Sequence, residues 1–368
     1  MTVPFATRFV ALDPARCAHM RFGQVGCTRC IDVCPEGALT ASSSRIALNP
    51  AKCEGCSGCV AVCPTGAMDH LDAAAAPVGH LPDATALDGA VVVVYSADRN
   101  AGLLDAVTAH GGGLPAGARC VPVPEVGAVG VAFMLAALAR GARAVHVVAT
   151  RAERGRLAAP TQAVELVNIL CDGLAPGAIR AAVVEEDDPW VLGERLRSLP
   201  VPREPLVTAE ARDTPAGAAG LRALLARLDR RTEPGPVSLP PGSPVGGITV
   251  GAARCTLCQA CARACPGGAL VVTTDVPRLG FIEADCVQCG VCRAVCPEKA
   301  IALEPRWAPQ GAEEPRLLKE DELVACADCG ATVGTRSALD RMTAVLAGHP
   351  MFQDPAALDR LKLCERCR

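Results

Sequence analysis

Cysteine is the residue whose number and spacing could do the most chemistry in this chain. Of the 22 cysteines, sixteen fall into four runs that each end in Cys-Pro. Three runs have the spacing CxxCxxCxxxCP: Cys53, Cys56, Cys59 and Cys63; Cys255, Cys258, Cys261 and Cys265; and Cys286, Cys289, Cys292 and Cys296. In the fourth run, Cys17 stands well ahead of Cys27, Cys30 and Cys34. Such triplets hold one iron-sulfur cubane, while the cysteine before proline ligates the neighbouring cubane.

This rule divides the sixteen cysteines into four predicted ligand sets, one for each [4Fe-4S] cluster. The sets are Cys17, Cys27, Cys30 and Cys63; Cys53, Cys56, Cys59 and Cys34; Cys255, Cys258, Cys261 and Cys296; and Cys286, Cys289, Cys292 and Cys265. The alternatives are a disulfide framework or zinc knuckles, but triplets followed by Cys-Pro do not supply the paired knuckles of a zinc site. At Cys17, the insertion HMRFGQVG could instead leave a three-iron cluster or a substitute ligand.

Two segments that contain these runs resemble a known family. Residues 13–70 and 250–305 look like bacterial-type ferredoxin domains with two [4Fe-4S] clusters each. The stretches RIALNPAKCEGCSGCVAVCPTGAM, from Arg45, and GFIEADCVQCGVCRAVCPEKAI, from Gly280, follow one pattern. In both, a short apolar strand leads into the triplet and then into Cys-Pro. The repeat predicts two separate ferredoxin modules with another domain between them.

Composition limits the remaining possibilities. At 368 residues, the chain has room for two to four domains. Half of the residues are apolar, but no stretch reaches the roughly 18 uncharged residues of a membrane helix. The N-terminal sequence lacks the pattern of a signal peptide, so we expect a cytoplasmic protein whose cysteines stay reduced. A net charge of −3 and 2% aromatic residues argue against a nucleic-acid partner.

The segment between the modules alternates short valine-rich strands with amphipathic helices. Strand patterns occupy residues 91–95, 119–123, 144–149 and 179–185, and helical patterns occupy residues 100–110, 127–140, 161–171, 189–199 and 215–230. This alternation predicts a small, doubly wound parallel α/β domain. A proline-rich linker begins at Pro234. The glycines at 111–113 are expected to form a plain turn, and His146 and Cys171 are expected to lie in the core.

The middle segment also resembles a known domain. The stretch ARCVPVPEVGAVGVAFMLAALARGARAVHVVAT, from Ala118, is similar to the delta subunit of methanogen hydrogenases. That resemblance implies a [2Fe-2S] cluster, with Cys120 in the place of a family cysteine. This segment offers only Cys120 and Cys171, whereas a cluster needs four ligands. We therefore expect a domain that has lost its cluster and kept a docking role.

Four further cysteines form two CxxC pairs near the end of the chain. They are Cys326 and Cys329, and Cys364 and Cys367. The separation of the pairs exceeds that of a simple zinc ribbon, but two intervening helices can return the chain. Zn²⁺ is the first choice for this site, with a rubredoxin-like iron or unligated thiols as alternatives. The segment from Leu323 resembles the tail of proteobacterial 4Fe-4S proteins associated with formate dehydrogenase.

These observations predict a mixed α+β and α/β protein of four domains. Their boundaries are 1–72 and 246–306 for the ferredoxin modules, 88–231 for the α/β domain and 318–368 for a helical tail with a four-cysteine metal site. The predicted function is electron transfer to or from a formate dehydrogenase or hydrogenase-type oxidoreductase. No catalytic residue set is found. One alternative is a reductase subunit with a flavin or small substrate in the middle domain, and another is an iron-sulfur maturation or sensing protein.

Overall fold

The computed structural model of the chain describes residues 5–21, 26–42, 45–176, 179–207, 218–352 and 355–368. They belong to two compact units. The first contains the chain up to Val245 with Val287–Cys289 and Pro305–Gln310, and the second contains Gly246–Cys286, Gly290–Glu304 and Gly311–Arg368. The first two predicted domains thus share one unit, and their boundary stays a prediction.

The N-terminal segment builds a small antiparallel frame around short helices. Its elements are β1 (Phe5–Ala6), β2 (Val10–Leu12), α1 (Arg29–Asp32), β3 (Leu39–Ser42), β4 (Arg45–Leu48), α2 (Gly58–Ala61) and β5 (Met68–His70). Strand β2 lies between β1 and β5, and β3 pairs with β4. Leu12, Ile46 and Met68 are buried among the cysteines of this segment. Because it has few large apolar side chains, this core is completed by its thiols.

The middle segment is a four-stranded parallel sheet covered by helices. Its elements are α3 (Ala84–Leu87), β6 (Val91–Ser96), α4 (Ala97–Ala109), β7 (Ala118–Val123), α5 (Val131–Ala139), β8 (Ala144–Ala149), α6 (Ala158–Leu174), β9 (Ala181–Glu185), α7 (Pro189–Ser198), α8 (Ala218–Leu228) and β10 (Val237–Ser238). Strands β6 to β9 form the sheet in the spatial order β7-β6-β8-β9, and β10 lies outside this sheet. Short 3₁₀ turns occupy Ala73–Ala75, Pro77–His80, Val126–Ala128 and Arg151–Arg156.

Both faces of this sheet are buried. Alternate side chains of a strand point to opposite faces. Val92 and Val94 belong to the core formed with α5, α6 and α8, whereas Val93 packs with α4 and α7. Burial on both faces explains why β6 begins with four consecutive valines. The predicted doubly wound parallel sheet is confirmed, and residues 215–217 of its predicted last helix lie outside the described residues.

The second unit combines a small antiparallel sheet with the C-terminal tail. Its elements are β11 (Gly246–Val250), α9 (Ala260–Ala264), β12 (Leu270–Thr273), β13 (Arg278–Phe281), α10 (Val291–Val295), β14 (Ile301–Trp307, whose last residues belong to the first unit), β15 (Arg316–Glu320), β16 (Leu323–Ala325), β17 (Thr332–Thr335), α11 (Arg336–Leu346) and α12 (Pro355–Asp359). Strand β13 lies between β12 and β15, and β16 pairs with β17 as a hairpin. Across the described residues, no helix combines the length and apolar character needed to cross a membrane.

Candidate iron-sulfur and metal sites

The regular cysteine runs share an unusual backbone. In the run that starts at Cys53, the residues on either side of the second cysteine, Gly55 and Ser57, have φ of 77° and 59°. The same left-handed conformation occurs in the run from Cys255 at Leu257 and Gln259, and in the run from Cys286 at Gln288 and Gly290. Residues other than glycine adopt this left-handed conformation at a cost of about 1 kcal/mol or more. Each triplet is therefore wound tightly, as it must be to direct three thiols toward one point.

The second predicted ligand set surrounds a cavity. Cys34, Cys53, Cys56 and Cys59 line a space of about 110 Å³ in the first unit. Cys34 belongs to the preceding run, yet it lies with the triplet of the next run. The four cysteines thus share one cavity, and their role as the ligands of one cubane stays a prediction.

The third predicted set is arranged in the same way in the second unit. Cys255, Cys258, Cys261 and Cys296 line a cavity of about 460 Å³. Leu323 of β16 and two threonines of β17 line the same space. The hairpin of the C-terminal tail therefore forms part of the wall of this cavity.

The first set, which contains the stretched run, also comes together. Burial raises the pKa of the Cys30 thiol to about 12, and the negative charges of Cys63, Cys27 and Cys17 add to this shift. Cys17 and Cys30 are buried in the same small core, and Cys63 packs against that core. Cys17 thus lies near these two thiols, and its role as a ligand stays a prediction. His19, in the insertion, is fully buried with its Nδ1 3.2 Å from the carbonyl oxygen of Cys27, while residues 22–25 lie outside the described residues.

The fourth set is anchored by the core of the second unit. Cys265, Cys286 and Cys292 pack against it. A Cβ atom on Gly267 would overlap the carbonyl oxygen of Asp285, so only glycine allows this close approach. The contact brings the turn after Cys265 against the residue before Cys286. The place of Cys289 as the fourth ligand stays a prediction.

Backbone amides donate to three of the sulfurs that precede proline. Ala38 N, Met68 N and Ala300 N each lie 3.3 Å from the Sγ atoms of Cys34, Cys63 and Cys296, respectively. Hydrogen bonds to sulfur stabilise the thiolate and are one of the means by which a protein sets the reduction potential of a cluster. The chain's thiols fit [4Fe-4S] groups in number, grouping and hydrogen bonding.

Family comparison decides the nature of the two modules. The model of a 4Fe-4S dicluster domain matches residues 25–67, and a second such model matches residues 254–301. The chain carries two 4Fe-4S dicluster domains. One subunit of an ion-translocating oxidoreductase complex from Methanosarcina acetivorans is 41% identical over 49 residues, which cover 13% of this chain and 18% of that protein. Cys17 precedes the first matched segment, so its role as a ligand stays a prediction.

The C-terminal cysteines form a second kind of site. The Sγ atoms of Cys326, Cys329, Cys364 and Cys367 all lie within 4.8 Å of one another, and those of Cys329 and Cys364 are 3.5 Å apart. Backbone N–H groups of Cys329, Cys364 and Asp328 lower the pKa of Cys326 to about 6. A tetrahedral zinc with 2.3 Å bonds places its sulfurs about 3.8 Å apart. The four thiols therefore fit one metal ion.

The remaining candidates of the middle segment do not form a cluster site. Cys120 is exposed on the edge strand β7, and Cys171 is fully buried in α6. Burial raises the pKa of Cys171 to about 12. His146 is also buried, and the glycines at 111–113 follow the end of α4 as a turn. Cys171 and His146 lie in the core as expected, but the buried Nδ1 atom of His146 has no hydrogen-bond partner among the described residues, so it is not the satisfied core histidine that the sequence predicted.

The middle segment lies against the second ligand set, which the sequence did not predict. Arg156 lines the cavity beside its four thiols and forms ion pairs of 3.0 Å with Glu54 and 3.1 Å with Glu125. A Cβ atom on Gly127 would overlap the carbonyl oxygen of Cys56, and one on Gly130 would lie 3.0 Å from that of Ala61. The two glycines, three residues apart ahead of α5, are the only sign of this contact in the sequence.

Proposed function

We propose that this protein transfers electrons through four [4Fe-4S] clusters held by the four ligand sets. When bound, each cluster accepts and donates one electron at a time. The observation that carries the proposal is that cysteines are exchanged between the two runs of a module, so that the cysteine before proline in one run lies with the triplet of the other. Cys34 lies with the triplet of the following run, and Cys296 lies with the triplet of the preceding one. This exchange is typical of paired cubanes.

The clusters of one module would be neighbours in an electron path. The protein's own contribution is to bury the thiols, supply amide hydrogen bonds and place charges nearby. Among the described residues, no dinucleotide-binding loop lies next to the thiols. We therefore place the catalytic centre on a partner protein.

For that partner we propose a formate dehydrogenase or hydrogenase-type oxidoreductase, met in the cytoplasm. Support comes from the resemblance of the middle segment to the hydrogenase delta subunit and of the tail to formate dehydrogenase-associated proteins. The relative from Methanosarcina acetivorans itself belongs to an oxidoreductase complex. For the C-terminal thiols we propose Zn²⁺, because four cysteines in two CxxC pairs form a closed site.

The arrangement of the middle segment weighs against a flavin at the usual position. In doubly wound sheets, ligands bind beyond the carboxyl ends of the strands where the strand order reverses, here between β6 and β8. At that edge, the turns Val126–Ala128 and Arg151–Arg156 contact the residues around Cys56. The chain's own N-terminal module thus covers this edge of the sheet.

Metal and cofactor analysis after anaerobic purification tests the proposal. We expect about sixteen iron and sixteen acid-labile sulfide per chain, with one zinc and no flavin. Co-purification from the native host then identifies the partner. Eight iron or fewer after full reconstitution contradicts four clusters. Stoichiometric flavin supports the reductase alternative, and clusters that bleach rapidly in air without any partner activity support a sensing or maturation role.

A further inference from the structure

A charged group from the middle segment lies at the cavity of the second ligand set. The guanidinium of Arg156 is close to Cys56, and only 12% of its side chain is exposed. Its Nη2 donates to Glu54 Oε2 and its Nη1 to Glu125 Oε2. Glu54 belongs to the cysteine run itself, whereas Glu125 follows β7. Residues from separate parts of the chain are thus joined at one edge of this cavity.

The position of Arg156 is fixed by a buried polar network. Its 3₁₀ turn starts at Thr150, whose backbone N–H and hydroxyl donate to Glu153 Oε2 over 2.9 Å and 3.0 Å. Glu153 is almost fully buried and also accepts hydrogen bonds from Ser96 Oγ at 2.6 Å and Asn100 Nδ2 at 2.7 Å. A buried carboxylate with this many donors holds the turn in one conformation. Arg156 is therefore presented by a rigid part of the sheet edge.

The charges beside Cys56 act in opposite directions. Arg156 brings a positive charge to the wall of the cavity that Cys56 lines, and Glu125 places a negative charge 3.1 Å from that guanidinium. The same fields act on any group bound to these thiols. A nearby positive charge favours the state that carries one more electron, and a nearby negative charge disfavours it.

We propose that Arg156 and Glu125 are positioning residues that set the reduction potential of the cluster bound by Cys34, Cys53, Cys56 and Cys59. This inference rests on the proposed function and deepens it, because it gives the middle segment a role without a cluster of its own. The segment supplies charged side chains beside one particular cluster. Arg156 raises the potential of that cluster, and Glu125 opposes it.

Substitutions that remove one charge at a time test this role. The full-length Arg156→Gln and Glu125→Gln variants should keep the iron and sulfide content of the wild type. In potentiometric titrations followed by electron paramagnetic resonance, one reduction step should move to a more negative potential in Arg156→Gln. The same step should move to a more positive potential in Glu125→Gln. Arg156→Lys, which keeps the charge, should restore most of the wild-type value.

Arg154 provides the matched control. It lies in the same 3₁₀ turn, but its side chain is 73% exposed and pairs with Glu185. Arg154→Gln should leave every step in place. If the reduction potentials of Arg156→Gln and Glu125→Gln both equal those of the wild type while the iron content is intact, the inference is wrong. It is also wrong if Arg154→Gln shifts a potential by the same amount. If Arg156→Gln loses iron, Glu125→Gln alone decides. A wild-type protein without clusters contradicts the proposed function instead.

Discussion

Cys34 lines one cavity with Cys53, Cys56 and Cys59, which come later in the sequence. This placement predicts which cluster each cysteine variant should lose. Cys34→Ser should remove about four iron atoms and the same paramagnetic signal that Cys56→Ser removes. Cys30→Ser should remove a different signal, because Cys30 is predicted to share its cluster with Cys17, Cys27 and Cys63. Iron analysis and low-temperature spectra of the variants give the measurement.

Two cysteines outside the ligand sets serve as controls for these variants. Cys120→Ser and Cys171→Ser should keep the full iron content, since one thiol is exposed on an edge strand and the other is buried in an apolar core. If Cys34→Ser and Cys30→Ser lose one common signal, the predicted division into ligand sets is wrong.

His146 in β8 links stability to pH. Burial lowers its pKa from 6.5 to about 4. Because the pKa of His146 is lower in the folded chain, the free energy of unfolding is highest above pH 6.5 and decreases as the pH falls from 6.5 toward 4. This decrease in the free energy of unfolding amounts to about 3 kcal/mol. Urea unfolding between these pH values should show a shallower pH dependence for His146→Leu than for the wild type, and equal slopes contradict the prediction.

The turn Val126–Ala128 packs the middle segment against helix α2 and the loop before it. Gly127→Ala should force the segments apart, because its Cβ atom would overlap the carbonyl oxygen of Cys56. We expect the cluster at Cys34, Cys53, Cys56 and Cys59 to bleach faster in air, while the signals of the second module stay unchanged.

Gly102 in α4 gives the matched substitution. A Cβ atom there meets nothing within 4 Å, and a helical Gly→Ala change stabilises by about 0.5–1 kcal/mol. Gly102→Ala should therefore keep the bleaching rate of the wild type. If Gly127→Ala bleaches at that rate too, the contact does not protect the cluster.

The C-terminal hairpin carries Cys326 and Cys329, two of the four thiols for which we propose Zn²⁺. Cys329→Ser should release the metal ion and loosen β16, β17 and α11, because a closed thiolate site contributes directly to folding free energy. Metal analysis and amide hydrogen exchange measure both effects. Iron content should hardly change, since the sixteen cubane ligands lie elsewhere. Loss of one cluster's iron in this variant means either that these thiols belong to the redox chain or that the hairpin, which lines the cavity at Cys255, protects the cluster there.

The elements were predictable where one local pattern decides them. The valine run of β6 and the cysteine triplets specify their structures within a few residues. The packing of the middle segment on the N-terminal module was not predictable, because its contacts are made by the backbone of Gly127 and Gly130 and by the charge of Arg156. Neither glycine spacing nor a single arginine produces a periodicity. Such contacts become visible only when the elements are assembled.

For the whole molecule, the four ligand sets define an electron capacity. Anaerobic titration with dithionite should take up about four electrons per chain, since each cubane accepts one. Cys34→Ser should take up about three, and Cys329→Ser should still take up about four. A wild-type capacity of about two electrons means that only one module holds its clusters.

The close packing of Gly127 on Cys56 also has a consequence for the order of events during biosynthesis. The turns after β7 and β8 pack beside Cys34, Cys53, Cys56 and Cys59, so we expect a carrier that delivers a cluster to reach these thiols most freely before the turns are in place. The ribosome adds the roughly 90 residues between Cys63 and Arg156 in about 5–20 s. During that interval the thiols are already synthesised and the turns that cover them are not. Slowing translation across residues 64–156 should therefore raise the fraction of chains that mature with this cluster in place.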